Sequence, residues 1–525
     1  MKDEAKQTTS LWTATATAPP EPTLDHDTRA DVCVVGAGIA GMTTAYLLAR
    51  RGVSVVVLEA GCVGGGQTGR TTAHLSNALD DRYTEIERLH GVQGSRLAAD
   101  SHTRAIDCIE SIVREENIDC DFERLDGYLF LPPGGSPDLL ARELQAARRA
   151  GLGVEGVPRA PLADFDTGPC LRFPRQGQFH PLKYLTGLTR AFQQAGGRIY
   201  TETHADQITG GNAARIQTRR GPVVTAAAVV VATNSPINDR IVIHHKQASY
   251  LTYVIAAGIP CGSVPKALYW DTLDPYHYVR LQSDSSGDGK APQDLLIVGG
   301  EDHKTGQADD QSARYTRLER WARERFPSMQ EIEYYWSGQV RETIDGLAFI
   351  GRNPLDAANV FIATGDSGMG MTHGTIAGML LTDLILGRPN PWAGLYDPSR
   401  TPVRAAGEYY KESINLMGQY ADWLAAGEIS SVWEIPAGSG AVVRCGLGKA
   451  AVYRNEQGEL IVLSAVCRHL GCIVHWNDVE KTWDCPCHGS RYAACGQVLD
   501  GPANQDLPLL GSGRAAVGPC PGTRM

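Results

Sequence analysis

Residues 31 to 60, DVCVVGAGIAGMTTAYLLARRGVSVVVLEA, restrict the fold of this chain more than any other stretch. Val32 to Val35 form a short apolar run typical of a strand buried on both faces, and GAGIAG makes a tight turn. MTTAYLLARRG has helical character and stops at Gly52, after which VSVVVLE reads as a second buried strand. The result is a βαβ unit. In such a unit Gly36 permits the sharp turn, Gly38 lets backbone approach a pyrophosphate, and Gly41 lets helix and strand pack closely. The helix N-terminus offers N–H groups to phosphate, and Glu59 stands where an acidic side chain can hold a ribose hydroxyl. A lone glycine triplet is weak evidence, but strand, turn, helix, second strand and terminal glutamate in order point to a bound dinucleotide.

Two further glycine-rich stretches narrow the dinucleotide. GCVGGGQTGRTTAHLS (61–76) follows the ribose-binding glutamate directly, where a nicotinamide dehydrogenase has no clear use for it. NVFIATGDSGMGMTHGTIAGMLLTDLILG (359–387) reads as strand, loop and helix, with the positive helix end available to an electron-rich ring edge. With VVVATN (229–234) and WSGQVRETIDGLAFIG (336–351), these segments resemble the D-amino-acid oxidase class of FAD-dependent oxidoreductases over roughly residues 31–400. That resemblance implies an α/β fold: a Rossmann-like FAD-binding domain assembled from pieces near 31–80, 178–240 and 335–395, with a β-rich substrate domain from 81–177 and 241–334. It also implies cofactor contacts from Gly36, Gly38, Gly41, Glu59, Gly69, Arg70, Thr71, His74, Gly365, Gly368, Gly370, Met371 and Thr372. His74 lies next to the position where dimethylglycine-type relatives link FAD covalently, not at it, so contact with flavin or packing is expected of it. His373 is expected at a helix start without a redox role, and His180, before Pro181, as a helix-opening residue.

CRHLGC (467–472) and CPCHGS (485–490) set a different constraint near the other end. Cys467 with His469, and Cys485 with His488, present two thiolates and two imidazoles from two short loops, a donor set suited to tetrahedral zinc or to a [2Fe–2S] cluster. With SRYAACGQVLDGPA behind it, the pattern resembles the Rieske proteins of the cytochrome bc type. The resemblance implies a [2Fe–2S] cluster on those four ligands, a Cys472–Cys487 disulfide clamping the loops, and hydroxyl donors at Ser490 and Tyr492 that stabilise the reduced cluster. Histidine ligation places such clusters at roughly −150 to +300 mV, and the two hydroxyls favour the upper part. Residues 429–525 alternate short apolar runs with turns, as a small all-β domain does, and GEYYKESINLMGQYADWLAAGE gives a helical linker over 406–428.

Composition sets outer bounds. The 525 residues suffice for several domain-sized units, a net charge of −10 argues against a nucleic-acid partner, and no apolar run approaches the roughly 20 residues of a membrane helix. Residues 1–30 lack a secretory pattern and read as an extended arm, with Leu11 and Trp12 docking on the body. The expected compartment is the cytoplasm.

A flavin takes two electrons and the cluster takes one at a time, so the two centres together predict a route from an organic substrate to FAD, then cluster, then an external acceptor that is unknown; the resemblance implies that the substrate is of amine type, oxidised at a C–N bond. YWDTLDPYHYVRLQ (269–282) puts Tyr276, Tyr278 and Arg280 on one strand face as candidate substrate contacts, or as cross-strand packing with Arg280 at a rim. The oxidases of this class that act on amino acids carry an arginine before a proline where this chain has Val340, with Arg341 displaced and no proline, and sarcosine oxidases place a lysine near Thr372. A plain α-amino acid is therefore disfavoured. The alternatives are a redox relay without its own substrate and a Rieske-type oxygenase. The latter needs two histidines and a carboxylate on one iron, and no such pair stands outside the cluster loops: the adjacent His244 and His245 would diverge in a strand. EDHKTGQ (301–307) is a polar turn with no assignment, expected on a surface between domains.

Overall fold

The computed structural model describes residues 8–238, 243–283, 293–401, 403–423, 425–429, 431–446 and 448–513. Residues 1–7 of the expected arm and 514–525 of the C-terminal domain lie outside the described residues. The chain divides into two compact units, one of Met1–Asn234, Thr252–Asp302 and Arg314–Ala405, the other of Ser235–Leu251, His303–Ala313 and Ala406–Met525.

The first unit is built on two sheets. In the eight-stranded sheet, parallel strands Val360–Thr364, Val223–Val231, Thr28–Val35, Val55–Leu58 and Arg198–Tyr200 lie side by side, with Phe349–Arg352 antiparallel at one edge. Val55–Leu58 and Val360–Thr364 are buried throughout, which is why their sequences run continuously apolar instead of alternating. Helices Ile39–Ala49, Pro181–Gln194 and Gly370–Ile385 belong to the same core cluster as these strands. The nine-stranded sheet includes Ile332–Thr343, His277–Ser283, Leu268–Asp271, Glu123–Phe130, Cys170–Gln178 and His74–Leu75.

The stretch 81–177, expected wholly on the substrate side, divides. Its strands enter the nine-stranded sheet, but the long helix Arg82–Glu115 packs against Gly370–Ile385. This helix breaks at Gly91, whose φ of 72° lies in the left-handed region. The arm also differs from the expectation of an extended segment. Leu11–Thr15 is a short helix capped by Ser10, and both Leu11 and Trp12 are buried. Burial of these two large apolar side chains is the gain that holds the turn against the body.

The second unit holds two four-stranded antiparallel sheets, Ser439–Cys445, Gly448–Arg454, Leu460–Ser464 and Leu509–Gly513, and His475–Asn477, Thr482–Asp484, Arg491–Ala493 and Val498–Asp500. Val442, Leu463, Trp483 and Tyr492 form its core together with Cys467, Cys472 and Cys485. The linker expected over 406–428 starts as the helix Ala406–Gln419, followed by the 3-10 turn Tyr420–Trp423. Among the described residues no helix is long and apolar enough to cross a membrane.

Candidate active site and candidate cluster site

The dinucleotide turn has the predicted tightness. A Cβ on Gly36 (φ 104°) would lie 2.4 Å from the Ala232 carbonyl oxygen, and one on Gly41 would lie 1.9 Å from the Gly36 oxygen. Only glycine fits either place. Gly38 is the N-cap of Ile39–Ala49 and puts no side chain at the helix start, where the Thr68 hydroxyl accepts from the Ile39 amide (3.1 Å). The Glu59 carboxylate ends the second strand and accepts from the amides of Ala37 and Gly61, each at 2.8 Å; burial raises its pKa against those bonds. Arg70 donates to the Ser337 carbonyl (3.0 Å) while the Arg70 carbonyl accepts from the Trp336 indole (2.8 Å). Gly69 accepts from Ser10, and Thr71 from the Trp12 indole, so the buried arm fixes this loop. The cradle of glycines, a helix N-terminus and an acidic strand end fits the pyrophosphate and ribose of FAD.

The second glycine-rich loop is clamped to the strand Ile332–Thr343. Ser367 N–H donates to the Arg341 carbonyl (3.0 Å), the Asp366 carboxylate accepts from Arg341 N–H (2.9 Å), and Thr343 N–H donates to the Ser367 hydroxyl (3.1 Å). Gly365 and Gly368 have φ near +70°. Beyond the loop, Met371 and Thr372 are buried at the start of Gly370–Ile385, and Thr372 Oγ1 lies 2.8 Å from His102 Nδ1. His373 Nδ1 donates to the Asp366 carbonyl (2.8 Å), leaving its Nε2 to accept from His102 Nε2 (3.2 Å). Burial lowers both imidazoles, His373 to about 4, so the pair is neutral. His180 caps its helix as expected, accepting from Lys183 N–H.

His74 lies on the strand His74–Leu75. Its Nε2 donates to Val279 O (3.4 Å) and its Nδ1 accepts from Thr72 Oγ1 (3.0 Å), with the Tyr278 ring edge-on at 5.7 Å. Burial first, and the Arg280 cation second, lower its pKa to about 3. Arg280 itself departs from the expectation of a substrate contact or a rim residue. It is 0 % exposed and donates to the carbonyls of Thr72, Ala73 and Phe179 and to Gln282, with Trp12 beneath it at 5.3 Å. A guanidinium with so many carbonyl acceptors is held by the backbone and holds it in turn.

The two tyrosines meet acid instead. Tyr276 and Tyr278 lie with ring centroids 5.3 Å apart, Tyr276 donating to Asp80 Oδ2 (2.8 Å) and Tyr278 lying 2.6 Å from Thr252 Oγ1. Asp80 abuts Gly368 so closely that a Cβ there would lie 1.6 Å from its carboxylate. Asp302, Asp366 and Glu342 interact electrostatically with the same group. Asp80 is open to solvent by surface area, yet the protein massed around it, with Asp81, Asp302 and Asp366, pushes its carboxyl up to about 7. Burial likewise raises Asp302 to about 7 and Glu342 well above the carboxylate range. Val340 and Glu342 alternate along Ile332–Thr343 with Gln339 and Arg341, which are buried on the other face. Sequence reasoning missed Asp80, Asp302 and Glu342. Glu342 alone carried a signal, being the acidic neighbour of the displaced arginine.

The two cluster loops lie side by side. The first leaves Leu460–Ser464 and is closed by Cys467 N–H donating to Cys472 O (2.8 Å); the second joins Thr482–Asp484 to Arg491–Ala493, with Cys485 N–H donating to Ser490 O (2.8 Å). A disulfide joins Cys472 to Cys487. The Sγ atoms of Cys472, Cys485 and Cys487 lie within 4.8 Å of one another, but two of the three are spent in that bond, which leaves Cys485 as a free thiol, as is Cys467 of the first loop. Those two are hydrogen bonded, and this bond, against burial and aided by Tyr492 and Ser490, lowers the Cys467 pKa. The rings of His469 and His488 stand 4.8 Å apart. Tyr492 OH accepts from Arg468 N–H (3.0 Å), so its hydrogen is left for Cys467 Sγ at 3.2 Å. Ser490 Oγ accepts from Ala503 N–H (3.0 Å). Two thiols, two imidazoles and hydroxyl donors aimed at sulfur fit a [2Fe–2S] cluster with mixed ligation.

The same unit contains pieces from far upstream. His244 and His245 do not diverge in a strand. They lie in the 3-10 turn His244–Lys246, and both rings face His488, at 6.2 and 5.8 Å. The polar turn with no assignment, at its Thr305–Gln307 end, packs on the second cluster loop: a Cβ on Gly306 would lie 2.8 Å from Pro486 N, and Gln307 donates to Pro486 O (2.9 Å).

Residues 31–384 match the model of the FAD dependent oxidoreductase family, DAO, and residues 422–511 that of the Rieske [2Fe-2S] domain. The chain is 33% identical over 512 residues to the putative Rieske 2Fe-2S iron-sulfur protein YhfW of Bacillus subtilis (strain 168), covering 97% of this chain and 98% of that protein. It is 28% identical over 413 residues to gamma-glutamylputrescine oxidoreductase of Escherichia coli (strain K12), 73% of this chain and 90% of that one. Glycine oxidase from Geobacillus kaustophilus shares the fold with a TM-score of 0.59 at 20% identity, over 71% of this chain and 99% of that one. The chain thus belongs to the DAO family of FAD-dependent oxidoreductases and carries, besides FAD, a [2Fe-2S] cluster in a C-terminal Rieske domain.

Proposed function

We propose that the protein oxidises a cationic amine at a C–N bond and passes the electrons, one at a time, from FAD to the Rieske cluster and on to an external one-electron acceptor. The observation that carries the substrate half is the acidic wall at Asp80, Asp302 and Glu342 beside Tyr276 and Tyr278. A carboxylate substrate would be repelled there, and the strand face that could offer an arginine offers Val340 and Glu342. An ammonium group relieves the repulsion among the three acids. Asp80, with its carboxyl near 7, takes the ammonium proton and leaves the free amine whose lone pair assists C–H cleavage, while Glu342 and Asp302 hold remaining positive charge. Tyr276 and Tyr278 stay protonated and orient the carbon chain. Bound FAD supplies the hydride acceptor. Gly36, Gly38, Gly41, Glu59, Gly69, Arg70, Thr71, Gly365, Gly368, Gly370, Met371 and Thr372 are the proposed FAD contacts, and Cys467, His469, Cys485 and His488 the proposed cluster ligands. The relative named gamma-glutamylputrescine oxidoreductase supports an amine-type substrate.

Anaerobic mixing of the holoprotein with a panel of mono-, di- and acylated diamines, followed by flavin absorbance, tests this reading. Bleaching by a cationic amine and not by glycine or D-alanine is expected. Bleaching by a plain amino acid alone, or by NADH alone, overturns it.

A further inference from the structure

The cluster-bearing unit is completed by two segments that lie within the residues matching the FAD dependent oxidoreductase family, Ser235–Leu251 and His303–Ala313. Their contacts converge on the proposed ligand loops. The His244 ring stands edge-on to His469 at 4.9 Å and faces His488 at 6.2 Å, and His245 approaches His488 at 5.8 Å. His244 is itself fixed, 2 % exposed, with Nε2 donating to the Pro236 carbonyl at 3.1 Å. Ser249 donates its hydroxyl hydrogen to the His488 carbonyl (2.9 Å), and Thr305 N–H donates to the Ser249 carbonyl (2.9 Å), tying the two segments together. Gly306, at φ 72°, lies flush against Cys485 and Pro486, and Gln307 donates to the Pro486 carbonyl while pairing with Asn415. His488 is left 4 % exposed.

We propose that residues 243–251 and 304–307 are an in-chain cap over His488, which closes the His488 edge of the imidazole face to docking by an external protein and leaves His469 half-buried. Two carbonyls of the second ligand loop, those of Pro486 and His488, are taken by side chains from outside the Rieske sheets, and the ring of one ligand is covered by two imidazoles. A partner protein needs exposed surface to bind, and His488 has almost none. The cap makes this a resident cluster whose His488 edge is turned to its own chain, and an external acceptor has to approach elsewhere. His244 acts as a positioning residue, holding the two ligand rings in one arrangement.

The inference rests on the ligand set proposed above, and the test separates the two. Full-length holoprotein is treated with diethyl pyrocarbonate and the rate of histidine labelling is read peptide by peptide, with His26, whose side chain is 66% exposed, as the internal reference. The low-g rhombic EPR signal of the reduced protein is recorded in parallel. His488 is expected to label at least about tenfold more slowly than His26, as a site that reacts only on local opening does. His244→Ala and Ser249→Ala are each expected to raise the His488 rate with the EPR signal retained. Where His244→Ala loses iron, Ser249→Ala, which removes a hydroxyl and no ring, is the deciding variant. Labelling of His488 at the His26 rate, or protection unchanged by the variants, overturns the cap. Absence of the rhombic signal in the wild-type protein overturns the ligand set and the cap with it.

Discussion

The Tyr276 hydroxyl donates to Asp80 Oδ2 across 2.8 Å, joining the aromatic residue that leads into His277–Ser283, an interior strand of the nine-stranded sheet, to the acid that follows the glycine-rich stretch 61–76. The bond favours the ionised carboxylate, while the protein massed around it and Asp81, Asp302 and Asp366 oppose ionisation and prevail, which puts Asp80 near 7. If Asp80 removes the ammonium proton, flavin reduction rises with pH through about 7. Asp80→Asn is expected to slow amine-driven bleaching by about 10²-fold or more, the low end of general-base contributions. Tyr276→Phe keeps the base but removes a bond that lowers its pKa, so the rising limb moves to higher pH. Stopped-flow flavin reduction across pH 6 to 9 reads both effects, and a limb unmoved in Tyr276→Phe counts against the coupling.

Glu342 is raised by burial first and then by Asp81, Asp80, Asp366 and Asp302. Glu342→Gln removes the carboxyl that ionises when a cation binds beside it, and the KM for the best amine is expected to rise about ten- to a hundredfold, matching about 1.5–3 kcal/mol for a hydrogen bond to a charged group. The stability effect has the opposite sign. A carboxyl raised in the folded state contributes most below its unfolded pKa and loses that contribution as pH rises through the folded value. Without amine, Glu342→Gln should therefore melt higher than wild type at pH 8 and little differently at pH 4, by calorimetry.

The contrast between these acids and the dinucleotide turn shows what sequence carries. Gly36, Gly38, Gly41 and Glu59 lie within one strand–helix–strand passage, where each residue type is dictated by its neighbours, so the unit is legible locally. The cluster ligands are legible for the same reason, each cysteine and histidine pair sitting in one short loop. Asp80, Asp302 and Glu342 come from a loop end and two strands far apart in sequence, and nothing local marks an acid as facing others. His244 and His245 were misread because a strand sends adjacent side chains to opposite faces and a 3-10 turn does not. That 235–251 and 303–313 join the cluster unit was hidden in the same way, since nothing local in either segment marks the unit it packs with.

Arg280 links the cofactor loop to the second sheet of its unit. Its NH1 donates to Thr72, Ala73 and Phe179 carbonyls at 3.0 to 3.2 Å, and burial lowers its pKa to about 9 without neutralising it at pH 7. Arg280→Met leaves buried carbonyls short of a donor, at about 1–3 kcal/mol each. Purified Arg280→Met is expected to retain less FAD and to melt lower. Arg280→Lys should not restore it, because an ammonium cannot span the planar fan of acceptors. Flavin-to-protein ratio after gel filtration checks this, and a full FAD complement in Arg280→Met counts against it.

Tyr492 has its hydroxyl geometry fixed from both sides, accepting from Arg468 N–H and donating toward Cys467 Sγ. A donor to sulfur stabilises the reduced, more negative cluster, so Tyr492→Phe lowers the midpoint potential. A net hydrogen bond of about 1–1.5 kcal/mol corresponds to about 40–65 mV for one electron. EPR-monitored titration should show that drop with g-values little changed, whereas His469→Ala or His488→Ala should abolish the signal and leave bound flavin absorbance in place. A potential unchanged in Tyr492→Phe would show that the hydroxyl only caps the loop.

His475 ties the linker to the Rieske sheets, its Nε2 2.9 Å from Asp422 and its Nδ1 3.0 Å from Glu428. Burial alone would lower its pKa, but hydrogen bonds to Glu428 and Asp422 outweigh that and raise it. A histidine raised in the folded state gives stability that is complete below its unfolded pKa, about 6.5, and is lost as pH climbs through the folded value. The groups are roughly one-third exposed, so the contribution is expected to stay below about 1 kcal/mol. The linker should become easier to cleave by protease between pH 6 and pH 9 in wild type. His475→Gln should be cleaved equally at both, because an amide pairs with at most one of the two carboxylates at any pH. Identical pH dependence in the two proteins would place the sensitivity elsewhere.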